Sequence, residues 1–323
     1  MPSLAARPSC GVKRPYHASV GIKRPRLVTI GDLTVDIVVG TDSGPDSGTD
    51  VPAAISFRAG GSAANTARAF ARLGGAATFV GAVGRDAVGR LAAQALRAEG
   101  VTPRLVQVRG RTARLVVLLS ASGERSFLTD RGVADSVPWR AVSASWITSA
   151  DALHLPAYSL LKNPLADTAM RAARVARRAG LLVAVDLASR RPLLVNGPAA
   201  ARATIAAVGA DVLFANRDEA VALVRSPDVA RLRELAPIVV VKAGAAGCTV
   251  YWQEVEMAIA TRPFRASDTT GAGDAFDAGF VFSLLSTGRA LGELRRLDLR
   301  HAAYDGGKAA AAFIRGRRTE LAL

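Results

Sequence analysis

The stretch Ser267-Asp268-Thr269-Thr270-Gly271-Ala272-Gly273-Asp274-Ala275-Phe276 places a Gly-Ala-Gly turn between a polar, extended segment and a helix. Small and apolar residues then recur at helical spacing, so we predict a helix from Asp274 to Leu285. Amides at the start of a helix lack partners within the helix and lie at the positive end of its dipole, so they attract anions. Asp274 would repel such an anion, which makes sense if Asp274 removes a proton while the amides hold a transferred group. The alternative is an ordinary helix capped by Asp, with glycines for a tight turn.

The bulk composition predicts one large α/β domain, alone or with a small appendage, in a chain of 323 residues. No apolar run approaches the roughly 18 residues that a bilayer-spanning helix needs, so we expect no membrane partner. The two cysteines, Cys10 and Cys248, and the three histidines have no disulfide-framework or metal-ligand spacing. We therefore expect no structural transition-metal site, and a reducing, cytoplasmic location.

The formal net charge is +15, and six of the basic residues lie within residues 1–26, which contain no acid. A near-repeat, Gly-Val-Lys-Arg-Pro and Gly-Ile-Lys-Arg-Pro, occupies residues 11–15 and 21–25. Proline, glycine and charge without apolar periodicity predict a basic, disordered extension over residues 1–25. Nucleic-acid binding is one interpretation of the charge, but the basic residues lack interleaved aromatics and no nucleic-acid-binding signature occurs. Small anionic substrates such as nucleotide phosphates are the favoured interpretation.

A double glycine, Gly60-Gly61, precedes a predicted helix in which Ser62 can cap and Asn65 lies one turn in. Asn65 is either an ordinary polar residue of a first turn or a candidate for recognising hydroxyl groups. Asp36 lies inside the apolar stretch Val35 to Val39, where a carboxylate is costly unless something binds it. Sugar hydroxyls and a cross-strand partner both remain open for Asp36.

From Asp151 onward, strand-like and helix-like segments alternate, which predicts a parallel sheet with helices on both faces and ligands at the carboxyl ends of the strands. Polar residues fall at those ends: Asp186, Asn216, Glu219, Lys242 and Gly244. Asn216 and Glu219 fit a capping box, and they equally fit a pair that meets magnesium waters and phosphate oxygens. Two further strand-like segments near residues 115–119 and 126–128, with residues 35–58, predict a small separate sheet.

The double glycine with Asn65, the Asn-x-x-Glu at 216–219 and the Asp-Thr-Thr-Gly-Ala-Gly-Asp at 268–274 occur together in this order. In these motifs the sequence resembles the ribokinase-like (phosphofructokinase-B) carbohydrate kinase family, and the resemblance runs from about Leu27 to Arg315. The resemblance implies an α/β fold, a three-layer αβα sandwich with a small β-sheet lid. It places the kinase domain at residues 26–318, with the lid from about 34–59 and 113–130.

The resemblance also implies transfer of the γ-phosphoryl group of ATP to a hydroxymethyl group, with Mg²⁺ and in many members a monovalent cation such as K⁺. It makes Asp274 the catalytic base and the amides of Gly271, Ala272 and Gly273 the anion hole. The positions that match the acceptor site are Asp36, Gly60, Gly61, Asn65 and the lid residue Glu124. The positions that match the nucleotide side are Asn216, Glu219, Lys242, Gly244, Gly247 and Thr270. Asn216 and Glu219 would organise magnesium through water, and Asp268 with Thr270 would hold the monovalent cation.

The acceptor is left open between a sugar and a nucleoside. A silent sugar- or nucleotide-binding regulator is an alternative, which the intact base disfavours, and a nucleic-acid-associated protein is the remaining one. Family members form homodimers through the lid or remain monomers, and both states are open here. Lys308 departs from the family pattern, since small or amide side chains are common there.

Overall fold

The computed structural model describes residues 24–41, 44–120, 125–261, 269–316 and 321. The extension predicted over residues 1–25 lies outside the described residues apart from its last two. Of these, Arg24 donates from Nε to the carbonyl of Gly74 at 2.7 Å and is already part of the folded structure. Two predicted site residues, Glu124 and Asp268, also lie outside the described residues.

The described residues form thirteen strands and nine α-helices. The strands are β1 (Arg26–Ile30), β2 (Thr34–Gly40), β3 (Ala54–Gly60), β4 (Ala76–Gly84), β5 (Val101–Val108), β6 (Ala113–Leu119), β7 (Arg125–Asp130), β8 (Ala152–Pro156), β9 (Leu182–Asp186), β10 (Val212–Asn216), β11 (Ile238–Lys242), β12 (Cys248–Trp252) and β13 (Val255–Ile259). The helices are α1 (Ser62–Arg72), α2 (Ala87–Ala98), α3 (Ala144–Thr148), α4 (Leu165–Arg178), α5 (Arg190–Leu193), α6 (Gly197–Val208), α7 (Arg217–Val224), α8 (Ala272–Ser286) and α9 (Arg296–Arg315).

The larger sheet has the strand order β13-β12-β11-β10-β9-β8-β1-β4-β5. All neighbouring strands are parallel except for the antiparallel pairs β11–β12 and β12–β13. Successive side chains of a strand point to opposite faces, so Leu213 and Phe214 belong to two different hydrophobic cores. One core contains α3 to α7, and the other contains α1, α2, α8 and α9. This arrangement is the predicted three-layer αβα sandwich.

The smaller sheet has the order β3-β2-β6-β7, with β2 and β6 parallel and the other pairs antiparallel. Its strands fall within the segments predicted as a lid, 34–59 and 113–130, except that β3 ends one residue later, at Gly60. Asp36 of β2, Leu115 of β6 and Thr129 of β7 are side by side in the register and line the same cleft. The smaller sheet therefore forms one wall of that cleft.

Strands β5, β12 and β13 were not predicted from the sequence. Strand β5 carries Pro103 and Arg104 and lies at the edge of the sheet, where proline and charge are tolerated. Strands β12 and β13 are five residues each and extend the sheet as a hairpin beyond β11. Among the described helices, none is both long enough and apolar enough to cross a membrane.

Candidate active site

A cleft with a cavity volume of about 650 Å³ opens at the carboxyl ends of the parallel strands, beside the first turn of α8. The charged side chains that line it among the described residues are Asp32, Asp36, Asp186, Glu219, Asp274, Arg131 and Lys242. Carboxylates thus outnumber cations in the cleft of a chain whose net charge is +15. Because such a cleft repels a bare polyphosphate, an anionic ligand needs a cation or fixed positive dipoles to enter it.

Asp274 lies in the first turn of α8 and is held by two hydrogen bonds from α1. Ser62 Oγ donates to Asp274 Oδ1 at 2.6 Å, and Asn65 Nδ2 donates to Oδ2 at 2.8 Å. Burial raises the pKa of Asp274 to about 7, although both hydrogen bonds favour the ionised form and lower it. The carboxyl is therefore poised to exchange a proton near neutral pH, as a general base requires.

The turn before α8 depends on Gly271, which has a φ of +76°. A Cβ there would lie 2.8 Å from the Phe313 ring, so glycine is needed for conformation and for space. The Ala272 amide donates to the carbonyl of Thr269 at 3.1 Å, so it is engaged in the turn. The amides of Gly273 and Asp274 have no acceptor in the described part of the chain and are the donors available to an anion.

The start of α1 explains why Asn65 is held firmly. Asn65 Oδ1 accepts a hydrogen bond of 2.6 Å from Arg68 Nη2, while the Arg68 Nη1 donates to the carbonyl of Ala59 at 2.7 Å. The amide of Asn65 is thereby oriented with its NH₂ group toward Asp274. The expectation that Ser62 caps α1 is wrong, because Gly61 is the N-cap and the Ser62 side chain turns to Asp274 instead.

The other predicted acceptor residues, Asp36, Gly60 and Gly61, meet where β2 and β3 pair. Asp36 is buried, and the Thr34 hydroxyl donates to its Oδ1 at 2.6 Å. A Cβ on Gly60 would overlap the Asp36 carboxylate, and a Cβ on Gly61, whose φ is +98°, would overlap the backbone carbonyl of Asp32. The two glycines thus leave room for Asp36 at the cleft and for the tight entry into α1.

Lys242 lies at the end of β11 and is surrounded by acids. Its Nζ donates to Asp186 Oδ1 at 3.1 Å and to Asp277 Oδ1 at 3.0 Å, and it lies 5.7 Å from the centre of the Phe214 ring. Burial alone would lower the pKa of Lys242, but the nearby carboxylates outweigh burial and raise it. Lys242 is therefore a permanent cation of the cleft. Its partner Asp277 was not singled out in the sequence.

Asn216 and Glu219 form the capping box at the start of α7. The Glu219 amide donates to Asn216 Oδ1 at 2.9 Å, and the Asn216 amide donates to Glu219 Oε2 at 2.8 Å. Both side chains also line the cleft, so the capping and ligand-binding interpretations are compatible. Burial, and next the Asp186 charge, raise the pKa of Glu219 to about 7.

The remaining positions predicted for the nucleotide, Gly244, Gly247 and Thr270, all line the cleft. Gly247 has a φ of +101°, and a Cβ there would overlap the carbonyl of Ile259. Lys308, the departure noted in the sequence, is exposed on α9 at 3.7 Å from Asp305. It lies outside the lining, whereas Gly307 and Ala310 of the same helix line the cleft.

Arg131, which follows β7 and lines the cleft, is not among the residues predicted from the sequence. Its guanidinium contacts both carboxylate oxygens of Asp135, with a shortest distance of 2.6 Å, and lies 3.8 Å from Asp32 and 5.2 Å from the Tyr158 ring centre. The positive charge of Arg131 is therefore compensated within the protein. No local motif indicates this group, because its members come from three separate segments, at residues 32, 131–135 and 158.

The chain is similar in sequence and in fold to kinases of sugars and of a nucleoside. The sequence model described as "pfkB family carbohydrate kinase" matches residues 24–321. Probable fructokinase-7 of Arabidopsis thaliana is 32% identical over 275 residues, which cover 80% of this chain and 79% of that protein. ATP-dependent ribose-1-phosphate kinase of Halopiger xanaduensis is 34% identical over 269 residues, which cover 81% and 86%. Among solved structures, adenosine kinase from Sinorhizobium meliloti matches with a TM-score of 0.78 and 25% identity, over 90% of this chain and 94% of that one.

Proposed function

The chain belongs to the pfkB family of carbohydrate kinases, and from this premise we propose that it transfers the γ-phosphoryl group of ATP to a hydroxymethyl group of a sugar. The observation that carries the proposal is the pair of hydrogen bonds from Ser62 and Asn65 to Asp274, at 2.6 and 2.8 Å. Beside them lie the Gly273 and Asp274 amides, for which no acceptor occurs among the described residues. A carboxyl with a pKa of about 7 at a helix N-terminus suits proton removal next to a phosphoryl group.

In the proposed reaction, Asp274 accepts the proton of the acceptor hydroxyl as that oxygen forms a bond to the γ-phosphorus. The bond between this phosphorus and the β–γ bridging oxygen breaks, and ADP leaves with the electron pair. The amides around Gly271, Ala272 and Gly273 stabilise charge on the transferred group, with the Gly273 amide available for this without rearrangement.

We propose that the acceptor binds between the smaller sheet and α1. Asp36 and Asn65 supply polar groups for its hydroxyls, Gly60 and Gly61 allow close approach, and Glu124 contributes from the lid. The described acidic side chains at this end and the compensated charge of Arg131 suit an uncharged polyhydroxy compound. In this proposal residues 26–318 form the kinase domain, and the segments near 34–59 and 113–130 form its lid.

The nucleotide lies, in this proposal, along the strand ends at Asn216, Glu219, Lys242, Gly244, Gly247 and Thr270. The oxygen donors of Asn216 and Glu219 suit Mg²⁺, which binds few protein ligands and retains waters and phosphates. In the described ranges no cluster of three or more metal-ligating side chains occurs. Magnesium, when bound, offsets the charge of the phosphates. Thr270, with Asp268, is the proposed site for a monovalent cation.

Coupled ADP release across pentoses, hexoses, sugar phosphates and nucleosides, with and without K⁺, tests the proposal. We expect ADP release that depends on an uncharged sugar, with the phosphorylated sugar formed in equal amount. Turnover restricted to nucleosides would favour a nucleoside kinase, in line with the similarity to an adenosine kinase structure. Binding of sugar or nucleotide without turnover of any acceptor would contradict the proposed reaction and favour a silent binding protein.

A further inference from the structure

The Lys242 ammonium lies next to the first turn of α8 and keeps one hydrogen free. An ammonium group has three N–H donors, and two of them point to Asp186 and Asp277 at 3.1 and 3.0 Å. The third has no acceptor among the residues that the structure describes. Gly273 lies next to the ammonium, because a Cβ atom at this position would be 3.3 Å from Nζ. The free donor is therefore adjacent to the amides that are available to an anion.

The two acids that hold Lys242 approach it from different elements of the fold. Asp186 is the last residue of β9, and Asp277 is one helical turn after Gly273, so both present their carboxylates to the same point. Asp277 is completely buried, while the Lys242 side chain keeps 12% of its surface exposed to the cleft. The two acids thus fix the ammonium on its buried side, while the rest of the group is exposed to the cleft.

Asp277 has a second buried neighbour, His154, whose side chain makes no hydrogen bond in the described structure. His154 Nε2 lies 3.5 Å from Asp277 Oδ2, and neither atom has a hydrogen-bond partner in the described structure. Burial lowers the pKa of His154 to about 4, so the imidazole is neutral at physiological pH. His154 therefore adds no positive charge, and Lys242 is the cation that Asp186 and Asp277 bind.

We propose that Lys242 is a catalytic residue that contacts the transferred phosphoryl group, and that Asp186 and Asp277 are positioning residues that hold its ammonium beside Gly273. This inference rests on the proposed function. Phosphoryl transfer is accelerated by positive charge that is already in place where negative charge develops. Arg131, the other described cation of the lining, is at the acceptor end and is compensated by Asp135. A side chain at position 273 would crowd the ammonium, since its Cβ would lie 3.3 Å from Nζ.

A purely structural role for the Lys242–Asp277 pair is the competing explanation, and a pair of variants separates the two. Lys242→Met alone leaves buried carboxylates without their counter-charge, so it lowers the melting temperature as well as the activity. The double variant Lys242→Met/Asp277→Asn removes a charge from each side and should restore most of the melting temperature. We expect kcat to stay about 10²–10³-fold below the wild type in both variants, with the acceptor KM little changed.

Recovery of wild-type kcat in the double variant would show a structural role and overturn the proposal. Asp277→Asn alone keeps the lysine but loosens its position, and we expect about a tenfold loss in kcat at unchanged acceptor KM. An effect on acceptor KM alone would contradict the positioning role. Lys308→Met is the matched control, because Lys308 also lies near an acid, Asp305, but outside the cleft. Its kcat should equal that of the wild type.

A binding measurement separates failure of this inference from failure of the proposed function. Calorimetry with Mg²⁺ compares ADP with a non-hydrolysable ATP analogue in the wild type and in Lys242→Met/Asp277→Asn. We expect the double variant to lose roughly tenfold in affinity for the triphosphate analogue and little for ADP. Equal losses for both nucleotides would overturn the inference even in a protein that turns over. A wild type without turnover but with the expected selective loss would contradict the proposed function and support contact of Lys242 with the terminal phosphate.

Discussion

Removal of the Ser62 hydroxyl is expected to shift the pH dependence of turnover toward alkaline pH. The hydroxyl donates to Asp274 at 2.6 Å and stabilises the ionised carboxylate. A hydrogen bond to a charged group contributes about 1.5–3 kcal/mol, and about 1.4 kcal/mol corresponds to one pKa unit. At the lower end of this range, Ser62→Ala should raise the pKa of Asp274 from about 7 by about one unit. The base must be ionised, so the ionised fraction at pH 7 falls from about one half to about one tenth.

Initial rates of coupled ADP release between pH 6 and pH 9 measure this shift, with ATP saturating and the acceptor well below its KM. We expect the rate of the variant to be about fivefold below that of the wild type at pH 7. At pH 9 the two rates should be nearly equal, because Asp274 is then mostly ionised in both proteins. Ser283→Ala is the matched control, because Ser283 lies on α8, the helix of Asp274, and its hydroxyl donates to Asp305 of α9 at 2.9 Å. A loss that is the same at every pH would refute the reasoning that Ser62 acts through the ionisation of Asp274.

Three further predictions follow from the same geometry. Burial raises the pKa of Asp274 from 3.8 to about 7, so the folded state binds the proton more tightly and loses stability as pH rises through that range. Asp274→Asn should therefore gain stability relative to the wild type between pH 5 and pH 8, by at most about 4 kcal/mol, in urea unfolding; a pH-independent difference would contradict this. Gly271→Ala should lower the free energy of unfolding by more than the roughly 1–2 kcal/mol that a left-handed backbone costs a residue with a side chain, and it should also lower kcat. Gly288 has a φ of +65° and open space around it, so Gly288→Ala should lose only the backbone contribution and keep its kcat. Gly60→Ala places a methyl group on the Asp36 carboxylate and should raise the acceptor KM without changing the KM for ATP; the opposite pattern would place Asp36 on the nucleotide side.

The sequence was informative where function depends on short-range pattern. The Gly-Ala-Gly turn, the helix that follows it and the double glycine at residues 60 and 61 are local features, and the structure has α8 from Ala272 to Ser286. The helix begins two residues before the predicted start at Asp274, because Gly271 already turns the chain in the left-handed conformation.

Hydrogen bonds between residues far apart in the sequence cannot be predicted from local sequence patterns. The partners of Asp274 are separated from it by 212 and 209 residues, so nothing near the motif indicates that Ser62 and Asn65 hold the base. Lys242 likewise meets Asp186 and Asp277 across 56 and 35 residues. These contacts are created by the order of strands in the sheet.

Buried polar site residues inside apolar segments could have been predicted from the sequence. Asp36 was singled out because a carboxylate inside an apolar strand is costly, and the same rule applies to Asp277 in Ala-Phe-Asp-Ala-Gly-Phe and to His154 in Ala-Leu-His-Leu-Pro. Both are fully buried. Arg131 carries no such signal, since an arginine in a polar turn is ordinary until Asp135 and Tyr158 are folded around it.

The most direct test of Asp274 as the base compares acceptor-dependent ADP release by the wild type and by Asp274→Asn under saturating ATP and magnesium. Nucleotide binding is measured on both proteins. Since Asp274 is assigned the acceptor proton, the variant should bind ATP with an affinity within about threefold of the wild type and lose at least about 10³-fold in kcat. An Asp274→Asn variant that binds ATP and turns over at a near-normal rate would contradict the assignment of the base, and with it this account of the site.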